Sequence, residues 1–242
     1  MTNFLEANWE NLIMANYPVP EEVLEAYLPS GCELDLFKGS AYVSLVGFMF
    51  RNTRLFKIPI PLLGTFEEIN LRFYVKRTEG GKVKRGVVFV NETIPYKAVA
   101  WVANKLYKEH YTAIPTRNTL VETKTNKQIN YQWQINKLWN NIYVEASANK
   151  ELMMEGSFEE FIFEHYYGYT KIDTRKTVEY EVAHPRWDLN RVSEYNINCS
   201  FDKMYGEAFK FLNQAEPDSV FLAEGSPVAV RWKRRRLELT EE

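Results

Sequence analysis

Glu68, Asn70 and Arg72 stand at alternate positions of the stretch GTFEEINLRFYVK, residues 64–76. Successive side chains of a strand point to opposite faces, so this spacing sets a carboxyl, an amide and a guanidinium in a row on one face. The chemistry open to such a row is ligand binding or proton transfer. An arginine fork grips a carboxylate through paired hydrogen bonds, and a glutamate beside it orients the arginine or takes a proton from the ligand. Ile69, Leu71, Phe73 and Val75 fill the other parity. A strand with one wet face, the commoner case in antiparallel sheets, gives the same pattern. In a closed barrel the polar face lines a cavity instead, where acid and base must bond to each other or to a ligand.

Other chemical signatures are absent. The sequence has no GxGxxG after a strand, no Walker loop, no GxSxG elbow, no HExxH and no CxxC. His110, His165 and His184 lie in separate segments, so no metal and no cofactor are expected. His165 shares a helical face with apolar residues, and His184 ends a strand whose same-face residues are Val178, Tyr180 and Val182. Both read as core histidines. Cys32 and Cys199 are far apart and match no metal-ligand spacing, which fits a reducing, cytoplasmic setting.

Thirty basic and thirty-two acidic residues give a net charge of −2, so nothing draws the whole chain to nucleic acid or to an anionic membrane. The only basic run, Arg231 to Arg236, reads as a solvated terminus. The N-terminus lacks the basic lead and apolar run of a signal peptide. The longest apolar stretch, residues 41–50, is about half of the ~20 residues a membrane helix needs. A soluble protein is expected, with no membrane or nucleic-acid partner; its oligomeric state stays open.

The elements that must position the row are mostly strands. Residues 32–50 read as two strands joined through Lys38-Gly39, the second apolar on both faces, followed by a loop with Pro59 and Pro61. The stretch at 66–76 pairs through Gly80-Gly81 with KRGVVFVNE, and a meander follows around KTNK and NIYVEASA. Further strands are expected at KTVEYEVAH, EYNINCS and PVAVRW. Helical spacing predicts short helices over Glu21–Leu28 and Pro95–Lys108, another over Asp202–Leu212, and one opening on the capping pair Ser157 and Glu160. No linker divides the chain, which predicts one domain over 1–242, mainly antiparallel β with a few peripheral helices.

The segments NLIMANYPVPEEVLEAYLPSGCELDLFKGSAYVSLVGFMF, GTFEEINLRFYV, SFEEFIFEHYYGY and VAHPRWDL follow one another as in the YqjF-like family, which the chain resembles over about residues 8–232. That leaves 233–242 as a basic and then acidic tail. The resemblance implies an α+β, mainly β fold, a bulged antiparallel β-barrel of the acetoacetate decarboxylase-like type with a small-molecule pocket. Phe66-Glu67-Glu68 resembles the decarboxylase's Y-x-E strand and would place Glu68 in the pocket, with Asn70 and Arg72 on the same inner face. Ile94-Pro95-Tyr96-Lys97 resembles its F-P-K-K motif, whose first lysine forms the imine with a β-keto acid. Here Tyr96 occupies that position and only Lys97 remains; a tyrosine forms no imine. Glu10 or Asn11 stands where the decarboxylase has an N-terminal arginine.

Three functions follow as expectations. The first is a barrel that binds a small molecule, with a carboxylate-bearing one suited to Arg72, at a pocket of Glu68, Asn70, Arg72, Tyr96 and Lys97. The second is a lyase-type enzyme on the same fold, with Lys97 as nucleophile or base and Glu68 as proton carrier. The third is an interaction protein with no internal site.

Overall fold

Strands account for most of the computed structural model, which describes residues 3–231 and 235–238. In chain order the elements begin β1 (Asn3–Val19), α1 (Glu21–Glu25), β2 (Glu33–Leu34), β3 (Ala41–Leu55), β4 (Ile58–Pro59), β5 (Phe66–Glu79), β6 (Lys82–Ile94) and α2 (Lys97–Val102). They continue β7 (Tyr111–Ala113), β8 (Thr116–Glu122), β9 (Asn126–Ile135), β10 (Leu138–Glu151), α3 (Phe158–Phe163), β11 (Tyr167–Lys171) and β12 (Lys176–Ala183). The last are β13 (Leu189–Asn198), α4 (Phe201–Tyr205), β14 (Ser219–Arg231) and β15 (Arg235–Glu238). A π-helical turn over Ala103–Tyr107 prolongs α2, and a 3-10 segment over Glu207–Gln214 follows α4. Among the described residues no helix is long and apolar enough to cross a membrane.

β12, β11, β6, β5, β3, β1 and β14 pair in that order, and β12 pairs again with β14 through Val182 with Val230 and Ala183 with Ala229. That last pairing closes the ring into a barrel. Its neighbours run antiparallel except for β11 beside β6. From β14 the sheet continues as an arm, β13, β10, β9 and β8, which folds over the outside of the barrel. There Tyr131, Trp133 and Ile142 of the arm bury with Leu45, Ile69, Leu71 and Phe73.

Both faces of β5 are therefore buried. Its oily parity, Ile69 to Val75, lies under the arm, and its polar parity faces the barrel interior. The interior also holds Leu12, Met14, Phe48, Phe50 and Phe66, and it is plugged by α3 through Phe161, Ile162 and Phe163. Ser157 caps α3 as its sequence predicts, accepting a hydrogen bond from the Glu160 amide at 3.2 Å.

Bulges shape the ring. In β1, Asn11 has φ 55°, and the register against β3 shifts between Glu10 and Ile13. Before this point Leu5, Ala7 and Trp9 face the interior; after it Leu12 and Met14 do. An extra residue flips every later side chain to the other face. The Asn11 carbonyl left outside the ladder accepts a bond from the Tyr131 hydroxyl at 3.0 Å, which ties the bulge to the arm.

Several expected boundaries move. β1 carries no alternation across its bulge and does not stand out in the sequence. The helix expected over Pro95–Lys108 is α2 plus its π turn, and the one expected over Asp202–Leu212 breaks at Gly206. The basic run is not simply a solvated terminus. Residues 235–238 form β15, which pairs with β12; Leu237 is buried and Arg235 bridges Glu79 at 2.5 Å. The remainder of the expected tail, residues 233–234 and 239–242, lies outside the described residues, as does Trp232.

Candidate functional site

The strand β5 carries Glu68, Asn70 and Arg72 up the inside of the barrel, and their exposures are 3%, 2% and 9%. The polar face is enclosed rather than wet. Asn70 donates to Glu68 Oε1 at 3.0 Å, and the Tyr111 hydroxyl from β7 donates to Glu68 Oε2 at 3.3 Å. Arg72 turns the other way, towards α3. Its Nη2 lies 3.4 Å from Met14 Sδ and 3.4 Å from the Ile162 carbonyl, and its Nε has no partner. Glu68 therefore does not orient Arg72, which corrects that expectation. The acid and the base occupy different levels of the interior.

A second carboxyl group, which the sequence reading passed over, faces Glu68. Glu92 of β6 pairs with Asn70 of β5, is 4% exposed, and has an Oε2 with no hydrogen-bond partner. Its inward direction depends on a bulge. Leu71 pairs with Asn91 but Arg72 pairs with Phe89, so Val90 is the extra residue. Val87 and Phe89 face the interior before it and Ile94 after it, while Val88 and Val90 face the outer core. Read by simple alternation, VVFVNE puts Glu92 on the wrong face; only the bulge brings it inside.

Beside these carboxyls lies a cavity of about 130 Å³. Its polar end is Glu68, Glu92, Glu109 and Tyr111. The rest of the wall is Phe4 and Leu5 of β1, Phe50, Thr53 and Leu55 of β3, Ile60, Phe66, Ile94, Val99 and Val102 of α2, Ala103, Tyr180 of β12 and Val230 of β14. Asn70 and Arg72 lie behind this wall. Tyr96 packs its ring edge-on to Phe66 at 5.7 Å and places its hydroxyl 3.4 Å from the Thr65 carbonyl, near the cavity but not lining it. Lys97 is exposed at the start of α2. Of the five residues expected at the pocket, the structure brings Glu68 to the cavity, sets Asn70 behind it as a support, and leaves Arg72, Tyr96 and Lys97 outside.

Burial pushes the Glu68 carboxyl up to about 7, and the charge of Glu109 adds to this against the bonds from Asn70 and Tyr111. Burial, then the charges of Glu68 and Glu109, push Glu92 well above the usual carboxylate range against a bond from Tyr111. The Tyr111 hydroxyl is raised by its burial and by the same acids. A carboxyl whose folded value lies above its unfolded 4.5 retains a proton that the unfolded chain has released. Stability therefore falls as pH rises from about 4.5 to about 7. Unfolding free energies measured from about pH 5 to 8 are expected to fall less in Glu68→Gln than in the parent chain. An unchanged slope would refute the assignment of these groups as buried and protonated.

The histidines stand apart from the cavity. His165 is just beyond α3, buried, with Nε2 3.2 Å from Asp35 Oδ2, and its burial lowers it to about 4. It is the hydrogen-bonded core residue its pattern predicts. His184 is not in the core: it is half-buried and stacks on Trp187 at 4.1 Å.

Residues 6–227 match the DUF2071 family, described as an uncharacterized conserved protein. Uncharacterized protein YqjF of Bacillus subtilis (strain 168) is 37% identical over 86 residues, a match spanning 35% of this chain and 34% of that protein, about a third of its length. In three dimensions the chain is similar to an acetoacetate decarboxylase-like enzyme from Sphingomonas wittichii RW1, with a TM-score of 0.66 at 10% identity, covering 99% of this chain and 95% of that one. It is also similar to the acetoacetate decarboxylase of Legionella pneumophila, with a TM-score of 0.63 at 8% identity over 99% and 88% of the two chains. The enduracididine biosynthesis enzyme MppR complexed with pyruvate gives 0.63 at 11% identity over 98% and 92%. At these identities the likeness shows the fold, the acetoacetate decarboxylase-like one that the sequence resemblance implies.

Proposed function

The chain belongs to the DUF2071 family, and from that premise we propose that its barrel binds a small molecule in the cavity beside Glu68, Glu92 and Tyr111. The observation that carries this reading is an apolar chamber with one polar end, lined by eight strands and helices of the fold, in which a buried carboxyl oxygen of Glu92 lacks a partner. Ligand sites are built this way, with apolar walls for affinity and a few converging polar groups for orientation. Its volume of about 130 Å³ approaches that of apolar cavities of about 150 Å³ that take up benzene. A ligand of six to eight heavy atoms, roughly, fits that comparison. The pyruvate complex of MppR supports a small-molecule role for this fold.

Binding rather than imine chemistry is the reading. Among the described residues no lysine lines the cavity, and Lys97 is exposed at the start of α2.

Ala103 lines the cavity from the π turn beyond α2. A fragment library of that size, screened by protein-observed NMR, is expected to yield ligands that shift cavity resonances in the parent chain and not in Ala103→Trp, where the indole fills the space. Ligands that bind both forms equally, or no ligands at all, would remove the reading.

A further inference from the structure

The polar end of the cavity is acidic. From β5 comes Glu68, from β6 Glu92, from the connection before β7 Glu109 and from β7 Tyr111, with Tyr180 of β12 in the remaining wall; Arg72 acts on Glu68 only from behind the wall. The surfaces contributed by β1, β3, α2 and β14 are apolar apart from Thr53. Among the described residues no lysine, arginine or histidine lines the chamber.

Acids close together in a buried site need not imply a ligand, since they can share protons and hydrogen bonds. Here the sharing is incomplete. Glu68 has both oxygens engaged, by Asn70 and Tyr111, and Tyr111 also bonds to Glu92, but Oε2 of Glu92, a residue 4% exposed, is left unpartnered. A buried acceptor without a donor is costly, and a charge-assisted N–H bond is the strongest way to satisfy it. An incoming carboxylate would oppose any ionisation of these acids and, among the described residues, would find no cation in the wall.

We infer that the cavity selects a small apolar molecule ending in an ammonium or comparable cationic N–H group, which Glu92 and Glu68 receive while the chain of the ligand lies against Phe50, Phe66 and Val99. This rests on the binding reading above and reverses the carboxylate-bearing ligand expected from Arg72. The raised carboxyls agree with it: burial disfavours their charged forms, and the one cation that acts on Glu68 against this, Arg72, lies behind the wall. A bound ammonium draws protons off them. Affinity therefore rises with pH through about 7, while an alkylamine, with a pKa near the value of about 10.4 for lysine, stays charged.

The test uses the full chain with n-pentylamine, 1-pentanol and pentanoate, titrated by protein-observed NMR at about pH 6 and about pH 8. Pentylamine is expected to bind at pH 8 about tenfold more tightly than pentanol, with pentanoate weakest, and to weaken at least about threefold at pH 6. Glu92→Gln, close to isosteric with a protonated Glu92, is expected to reduce pentylamine affinity about tenfold and to leave pentanol nearly unchanged. Should that variant not fold, Glu68→Gln serves with the same expectation. If pentanol or pentanoate binds at the cavity as well as pentylamine, or if the amine shows no pH dependence, the cationic class is wrong while the binding site stands. If none of the three probes shifts cavity resonances while the fragment library yields ligands for the parent chain, the cationic class is wrong and the binding site stands; if the library yields none either, the binding reading falls with it.

Discussion

Arg72→Met is expected to raise the free energy of unfolding by about 1–4 kcal/mol, the range in which well-packed apolar groups outperform buried charges. Arg72 is 9% exposed, and every contact described for its guanidinium is with an uncharged group: Met14 Sδ, the Ile162 carbonyl and, 5.7 Å away, the Tyr74 ring. No carboxylate forms a salt bridge with it among the described residues, and Nε has no acceptor at all. A charge so placed has given up its hydration with little return. Methionine fills nearly the same unbranched volume beside Met14, adapts its torsions to the gap, and leaves no donor unpaired. Urea unfolding near neutral pH measures the difference. A loss of more than about 1 kcal/mol would mean that the charge is compensated by something the barrel holds, and Arg72 would return as a ligand for an anion.

The second large effect belongs to Gly225. This residue has φ 86° and lies opposite Glu10 in the β1–β14 ladder, next to the Asn11 bulge. A Cβ there would collide with the Trp9 carbonyl oxygen and stand 2.8 Å from Leu12 Cδ1. The first obstacle is backbone and cannot rotate away. Two costs add: the left-handed conformation, roughly 1–2 kcal/mol for a non-glycine residue, and overpacking, roughly 1–3 kcal/mol. Gly225→Ala is therefore expected to lose about 2–5 kcal/mol. Gly81, at φ 75° with nothing within 4 Å of its would-be Cβ, is the control, because Gly81→Ala incurs only the first cost. Equal losses in the two variants would show that the ring gives way at Gly225, and that close packing does not fix the bulge.

Both residues sit where the barrel departs from regular alternation, and those departures decided how much of the molecule could be read from its sequence. Regular segments were legible. The two parities of β5, the hairpin through Gly80-Gly81, the meander of the arm and the cap of α3 each rest on contacts between near neighbours in the chain, whose pattern the sequence carries directly. So was the position of Glu68 inside a barrel, through the match of its strand to a known family.

What the sequence by itself determined was therefore a β-rich chain, its fold by resemblance, and one buried acid with its supporting amide. Tertiary structure alone decided the rest. Closure through β12 and β14, and the arm over the outside, buried both faces of β5, so the oily parity turned out to face the arm and the polar parity the interior. The bulge at Val90 turned Glu92 inward, and chain segments more than fifteen residues apart brought Glu109 and Tyr111 to Glu68. One inserted residue reverses the facing of all that follow, and a local pattern of residue types does not record where the ladder slips. For the same reason the charge of the cavity, which rests on which acids point inward, belongs to the fold and not to the composition, with its nearly balanced thirty bases and thirty-two acids.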